Sequence, residues 1–389
     1  MQLTHKPPRS TLVFFLSTLV LLIFGFSKNS HAYPQFQIST GNARCSLCHV
    51  SPSGGGLLNA YGRSESADTI SFKGKGNGDW LYGLYKEPKW LKLGADFRYA
   101  ALSRNQADST ETTTFLMQSD IYAQFKFGKK FSLYLNIGPR AQARSIEIDS
   151  PFTRTTSREH YIMYKPKSKG MVYRLGRFMM PFGIRSQDHT LFIRRDLGLT
   201  AFQETYNFSA AKIENDWEAH GTLFWSVPFF LQTGSSTINQ GAALYFEKRI
   251  FDEKKTAYAL QTRIGQSDDA RQWVVGGVLK HYSEKARTLF LAETDLVFED
   301  LRDNGPSRTR LVGYYGASVT PIQGLMMTGS YQYSNMNLAA EDTSRHGLSF
   351  DLQIFPWAKW ELHAISRIEF NGDSSRRTKL GFLQLHYYL

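Results

Sequence analysis

The sequence predicts an all-β protein: a transmembrane antiparallel β-barrel of about 16 strands over residues 85–389, with a small N-terminal segment (33–80) as its plug. Two observations carry the barrel. From Trp90 onward, apolar and polar residues alternate with period two in segments of about ten residues. The connections between those segments also alternate, tight then long. A third observation, the C-x-x-C-H run Cys45-Ser46-Leu47-Cys48-His49, sets the plug apart from the rest.

The chain opens on a secretory pattern. Lys6 and Arg9 precede an apolar run over residues 11–26, and a polar stretch ends in Ser30-His31-Ala32. A basic start, an apolar core and a small-x-small site make a cleavable leader, residues 1–32. The run is shorter than the roughly 20 residues of a spanning helix, which disfavours an anchor. Three of the twelve excess positive charges lie in this leader (Lys6, Arg9, Lys28), so the mature chain stays basic at about +9. Export excludes nucleic acid as the partner. The charge alone does not choose between a lipopolysaccharide-facing rim and an acidic periplasmic protein.

In the plug, C-x-x-C-H reads as covalent attachment of one haem c. Cys45 and Cys48 add to the two vinyl groups, and His49 reaches the iron as axial ligand. A redox pair does not need the histidine and expects a βαβ context, which is missing here. Zinc needs further ligands, yet these are the only two cysteines, and no histidine lies between Val50 and Glu159. One short helix is expected over 57–67, between the glycine tracts 53–56 and 73–78. So small a segment does not enclose a haem alone and is expected to pack inside the barrel.

Composition excludes other classes: 21% charged residues rule out disorder, and no second apolar stretch is long enough for a helical span. Aromatics (Tyr 20, Phe 28, Trp 7) suit girdles at a membrane interface. The strands are expected to start near Trp90, Thr113, Phe131, Arg158, Met171, Thr205, Trp217, Gly241, Ala257, Gln272, Thr288, Thr309, Leu325, Gly347, Trp360 and Thr378. Residues 131–137 and 348–354 alternate cleanly, and 360–370 sets Leu362, Ala364 and Ile368 against Glu361, His363, Arg367 and Glu369. That charged face suits a wet lumen better than a sandwich core. Tight turns at 128–130, 214–216 and 322–324, with longer connections at 104–112, 228–239 and 335–343, put both termini on the periplasmic side. The last residue, Leu389, departs from the usual aromatic ending.

The connection 178–204 exceeds common loop lengths and is expected to fold into the lumen. It brings Met179, Met180 and His189, which join the inward-facing His220, Met326, His363 and His386 as candidate distal haem ligands; Met117 falls on the lipid side. Met ligation raises the potential relative to His, and the sequence does not choose. The inward acids Glu293, Asp295, Glu299 and Asp351 read as a solvated wall rather than a metal cage.

A leader, one C-x-x-C-H and such a barrel in one chain resemble the fused outer-membrane monohaem cytochrome–porins, including the iron-oxidising members. The stretch from Ala32-Tyr33-Pro34 through Thr40-Gly41-Asn42-Ala43-Arg44 to His49 is similar to that family's haem-proximal pattern. The resemblance implies electron transfer between an extracellular donor such as Fe(II) and a periplasmic cytochrome or other carrier, an iron:cytochrome c-type oxidoreductase. It carries over only Cys45, Cys48 and His49. The alternative is a solute porin whose haem plug is structural or sensory.

Overall fold

The computed structural model describes residues 44–72, 80–106, 109–139, 155–167, 170–201, 203–226, 240–250, 255–302, 305–372 and 377–389. The expected leader, residues 33–43 and the second glycine tract lie outside them.

Sixteen strands form one closed antiparallel barrel. They are β1 (Leu91–Gln106), β2 (Ser109–Phe127), β3 (Phe131–Pro139), β4 (His160–Tyr164), β5 (Gly170–Phe178), β6 (Thr205–Ile213), β7 (Trp217–Trp225) and β8 (Gln240–Ile250). Around the other half run β9 (Thr256–Gln266), β10 (Ala270–Ser283), β11 (Thr288–Leu301), β12 (Ser307–Ile322), β13 (Leu325–Asn335), β14 (Ser344–Ile354), β15 (Trp360–Asn371) and β16 (Arg377–Tyr388). A two-residue segment, Thr155–Thr156, adds a bridge to the end of β3. Each strand pairs with its sequence neighbours, and β1 closes on β16 from Asp96↔Tyr388 to Gln106↔Thr378. Closure satisfies the strand backbone groups that hydrocarbon would leave unpaired at several kcal/mol each.

Phe131, Thr205, Trp217, Thr288, Leu325 and Trp360 start strands as expected. The first long connection does not exist as such. Residues 104–106 and 109–112 extend β1 and β2, paired Ser103↔Thr112 and Asn105↔Thr110, so only 107–108 join them. Polar composition suggested a loop, but threonine suits a strand, and its hydroxyls bond across this pair (Thr112 Oγ1 to Ser103 Oγ, 3.2 Å). A bulge between Arg98 and Tyr99 leaves Met117 as the extra residue on β2, so alternation does not assign it to a face.

The two faces follow the predicted parity. Along β7, Glu218, His220, Thr222 and Phe224 are buried inward while Leu223 is exposed outward. Outward leucines and isoleucines such as Ile121, Leu244, Leu260, Ile264 and Leu383 make the belt that meets hydrocarbon. Aromatic pairs flank it: Trp90–Phe125, Phe131–Tyr164 and Trp360–Tyr387 near the tight-turn end, Trp273–Phe298 toward the other.

The segment preceding β1 lies inside the tight-turn mouth. It carries α1 (Cys45–Cys48) and α2 (Ala60–Glu65), the latter continued by a π-turn, Ser66–Ile70. The helix begins later than expected because Leu57 and Leu58 pair back on the cysteine run, through Val50 N–H to Leu57 O (3.0 Å) and a His49↔Leu58 bridge. Leu57 and Val50 then pack on Tyr122, Tyr134, Tyr161, Met163 and Phe178 of the wall. At the rim Ile70 packs on Met326 and Phe355, and Gln323 Nε2 donates to Ser71 O at 2.7 Å. Arg63, buried, pairs with Glu87 at 2.9 Å and donates to Leu93 O at the start of β1.

Candidate functional site

One helical turn, α1, puts Cys45 and Cys48 three residues apart and so on one face. Its end is fixed by Asn59, whose side-chain amide donates to Leu47 O (2.7 Å) and at 3.4 Å to Ser46 O and His49 O. The same side chain accepts from Gly62 N at 3.0 Å, capping α2. Gly62 sits so close that a Cβ there would run into the Cys48 carbonyl. Gly54, Gly55 and Gly56 all have positive φ (84°, 78° and 56°) and turn the chain over the motif. A Cβ on Gly54 would lie 3.3 Å from Cys45 Cβ.

The connection after β5 folds inward, as its length and apolar content suggested. Its short helix α3 (Phe192–Arg195), with Met180, Phe182, Ile184 and Leu197, packs against the inner wall of β7 through β12. Gly183 N–H donates to Gln261 Oε1 (2.6 Å), Ile184 N–H donates to Glu293, and Gln261 Nε2 donates to Glu293 (3.0 Å) and Asp295 (2.6 Å). Gly183 has φ +61°, and a Cβ there would collide with Glu293. Of the acids expected to form a solvated wall, Glu293 thus clasps the loop and Asp295 holds Gln261 behind it. Among the described residues, no group of three or more His, Cys, Asp or Glu forms a metal cage.

Two residues further on, Arg185 reaches Cys45. Its Nη1 lies 3.5 Å from Cys45 Sγ and donates to Ser53 O (2.9 Å), while Nη2 donates to Glu218 Oε1 (2.8 Å). Its guanidinium also stands over the Tyr245 ring, 4.9 Å from the centroid. Glu218 in turn holds Arg249 (2.7 Å), which meets Glu247, itself paired with Lys280 (2.7 Å).

The distal candidates part company. His220 Nε2 bonds Glu218 (3.2 Å), its Nδ1 is buried without a partner, and the chain Cys45–Arg185–Glu218 links it to the motif. Met179 N–H donates to Glu159, whose Oε2 lies beside Gly56, although the Met179 side chain packs with the loop cluster that buries Met180. His189 lies in the loop next to Asp188, which Arg367 holds. Met326 is committed to the contact with Ile70. His363 Nε2 is buried without a partner. Both ring nitrogens of His386 are engaged, by Glu361 (2.7 Å) and by Asp96. Asp351 Oδ1 is buried, and Glu299 pairs with Arg308 and Arg310.

The motif residues fit a covalently held haem. Both thiols share one face, and Cys45, Cys48 and His49 each keep part of their surface open inside the barrel. The His49 ring is buried against the Gly55 and Gly56 backbone, the setting that orients a ligating imidazole. Burial lowers the His49 pKa to about 4, so the imidazole is neutral, the form that ligates iron. Burial, with Glu65 and Cys45 nearby, pushes Cys48 up to about 12, and burial raises Cys45 against the pull of Arg185; both stay thiols at neutral pH.

Solved structures of similar shape are porin-type barrels. OmpT, an outer membrane protein of Vibrio cholerae in its trimer form, superposes with a TM-score of 0.57 at 9% identity, covering 77% of this chain and 99% of that one. The chain has a porin-type fold. The outer membrane channel DcaP of Acinetobacter baumannii gives 0.54 at 9% identity, over 78% of this chain and 99% of that one. An anion-selective porin from Comamonas acidovorans gives 0.53 at 9%, over 77% and 99%. No protein-family model matches the sequence. No curated protein matches it either. Sequence reasoning passed over the roles of Asn59, Gly62, Arg185 and Glu218. Asn59 had a signal as a helix N-cap, whereas Arg185 becomes a neighbour of Cys45 only through the loop's path.

Proposed function

We propose that this protein is an outer-membrane barrel whose lumenal C-x-x-C-H motif carries one haem c, through which electrons pass between an extracellular donor, Fe(II) among the options, and a periplasmic cytochrome or other carrier. The observation that supports it is the enclosure of Cys45, Cys48 and His49 by the barrel, under the grip of Asn59 and Arg185. When bound, the haem supplies a one-electron couple. Cys45 and Cys48 would anchor it, His49 would hold the iron, and the wall would insulate it from lipid. The apolar band of such barrels is about 25 Å tall, so one haem needs a carrier at the periplasmic mouth.

The fold likeness favours the second reading more than this one, because the compared structures include a channel and an anion-selective porin. In that reading the chain is a solute porin and the haem segment a structural or sensory plug. The deciding experiment reconstitutes the purified protein in liposomes. Electron transfer requires the haem band to respond to an external impermeant donor or acceptor with little solute flux. A solute porin passes small solutes, with or without haem, and its haem ignores that reagent.

A further inference from the structure

We propose that Arg185 and Glu218 act as an opposed pair of charges that sets the reduction potential of a haem held at Cys45 and Cys48. This rests on the haem reading of the motif. Arg185, from the loop, meets the Cys45 sulfur at 3.5 Å, and it is fixed there from three sides by Ser53 O, Glu218 and the Tyr245 ring. Its approach is set by the fold: Gly183 takes φ +61°, and the Gln261–Glu293 clasp holds the turn two residues upstream. A guanidinium so placed would stand next to the thioether of a haem attached at Cys45.

Reduction adds one electron to the iron and removes one unit of positive charge from the site. A fixed cation therefore favours the reduced state and raises the midpoint, and a fixed anion lowers it. The interior screens both weakly compared with bulk water. Glu218 is fully enclosed and shared by Arg185, Arg249 and His220. Beyond it stand Glu247 and Lys280, which pair with one another. Removing Arg185 leaves Glu218 still paired with Arg249, so the wall keeps its compensation while the haem edge loses its cation.

The test is an optical redox titration of the full-length, haem-loaded protein in detergent, for wild type, Arg185→Gln, Arg185→Lys and Glu218→Gln. Heat-modifiable gel migration reports that each barrel is folded. The midpoint is expected to fall in Arg185→Gln, to stay near wild type in Arg185→Lys and to rise in Glu218→Gln. If Glu218→Gln does not fold, the contrast between glutamine and lysine at 185 decides. A merely structural role moves midpoints in one direction or none, and either result overturns the proposal. A wild type exported through a working haem-ligation pathway yet colourless overturns the haem reading itself.

Discussion

Cys45, Cys48 and His49 are held in place by Asn59, Gly62 and the glycine turn 54–56. Replacing both cysteines with serine is expected to abolish covalent pigment, seen as loss of haem staining on a denaturing gel. His49→Ala is expected to keep that stain while the optical spectrum leaves the wild-type form; an unchanged spectrum removes His49 from the iron. The support is as sharp as the site. Gly62→Ala drives a Cβ into the Cys48 carbonyl, an overpacking that costs about 1–3 kcal/mol. Asn59→Ala removes the cap of α2 and the bonds to α1, at about 1 kcal/mol or somewhat more. Both variants are expected to lower haem occupancy per barrel, read as the ratio of haem absorbance to protein. Wild-type ratios in both leave the close fit of α2 against α1 without consequence.

At the scale of elements, two segments fill the lumen, and each is held to its surroundings by several bonds. The loop after β5 is pinned at Gly183 and Ile184 by Gln261 and Glu293, so the pair Gln261→Ala and Glu293→Ala is expected to loosen that end and raise single-channel conductance in planar bilayers. A conductance equal to wild type means that the remaining holds, Phe192 N–H to Gln332, Arg263 to Leu197 O and Arg367 to Asp188, suffice together with the apolar contacts. The plug is tied to the mouth by Arg63 and Glu87, both almost fully enclosed. Breaking such a pair costs about 3–5 kcal/mol, at the lower end here because Lys92 also holds Glu87 (3.0 Å). Arg63→Ala is expected to speed cleavage of the plug in limited proteolysis and to leave the barrel intact.

For the whole molecule, strand closure and the plug rest on different contacts. The barrel satisfies its own backbone from β1 to β16, whereas the plug reaches it through side chains and a handful of bonds such as Phe72 N–H to Phe355 O (2.8 Å). Deleting residues 44–72 is therefore expected to leave a heat-modifiable, detergent-soluble barrel with higher conductance. Loss of the folded band on the gel instead makes the plug part of the barrel's own core.

Period two in the sequence determined the strands, their number and, away from the bulge at Met117, which side chains face the lumen, because neighbouring residues of a regular strand point to opposite faces. The cysteine motif was legible too, since its spacing is local. Residues 104–112 were misjudged, because polarity suggested a loop where cross-strand pairing made a strand. Only the tertiary structure decided that Arg185 meets Cys45, that Glu293 holds Gly183, and that His220, unlike His386, keeps a ring nitrogen without a partner. Those contacts join residues far apart along the chain, and their geometry comes from the closure of the barrel and the path of one inward loop. No local pattern of amino acids carries that information.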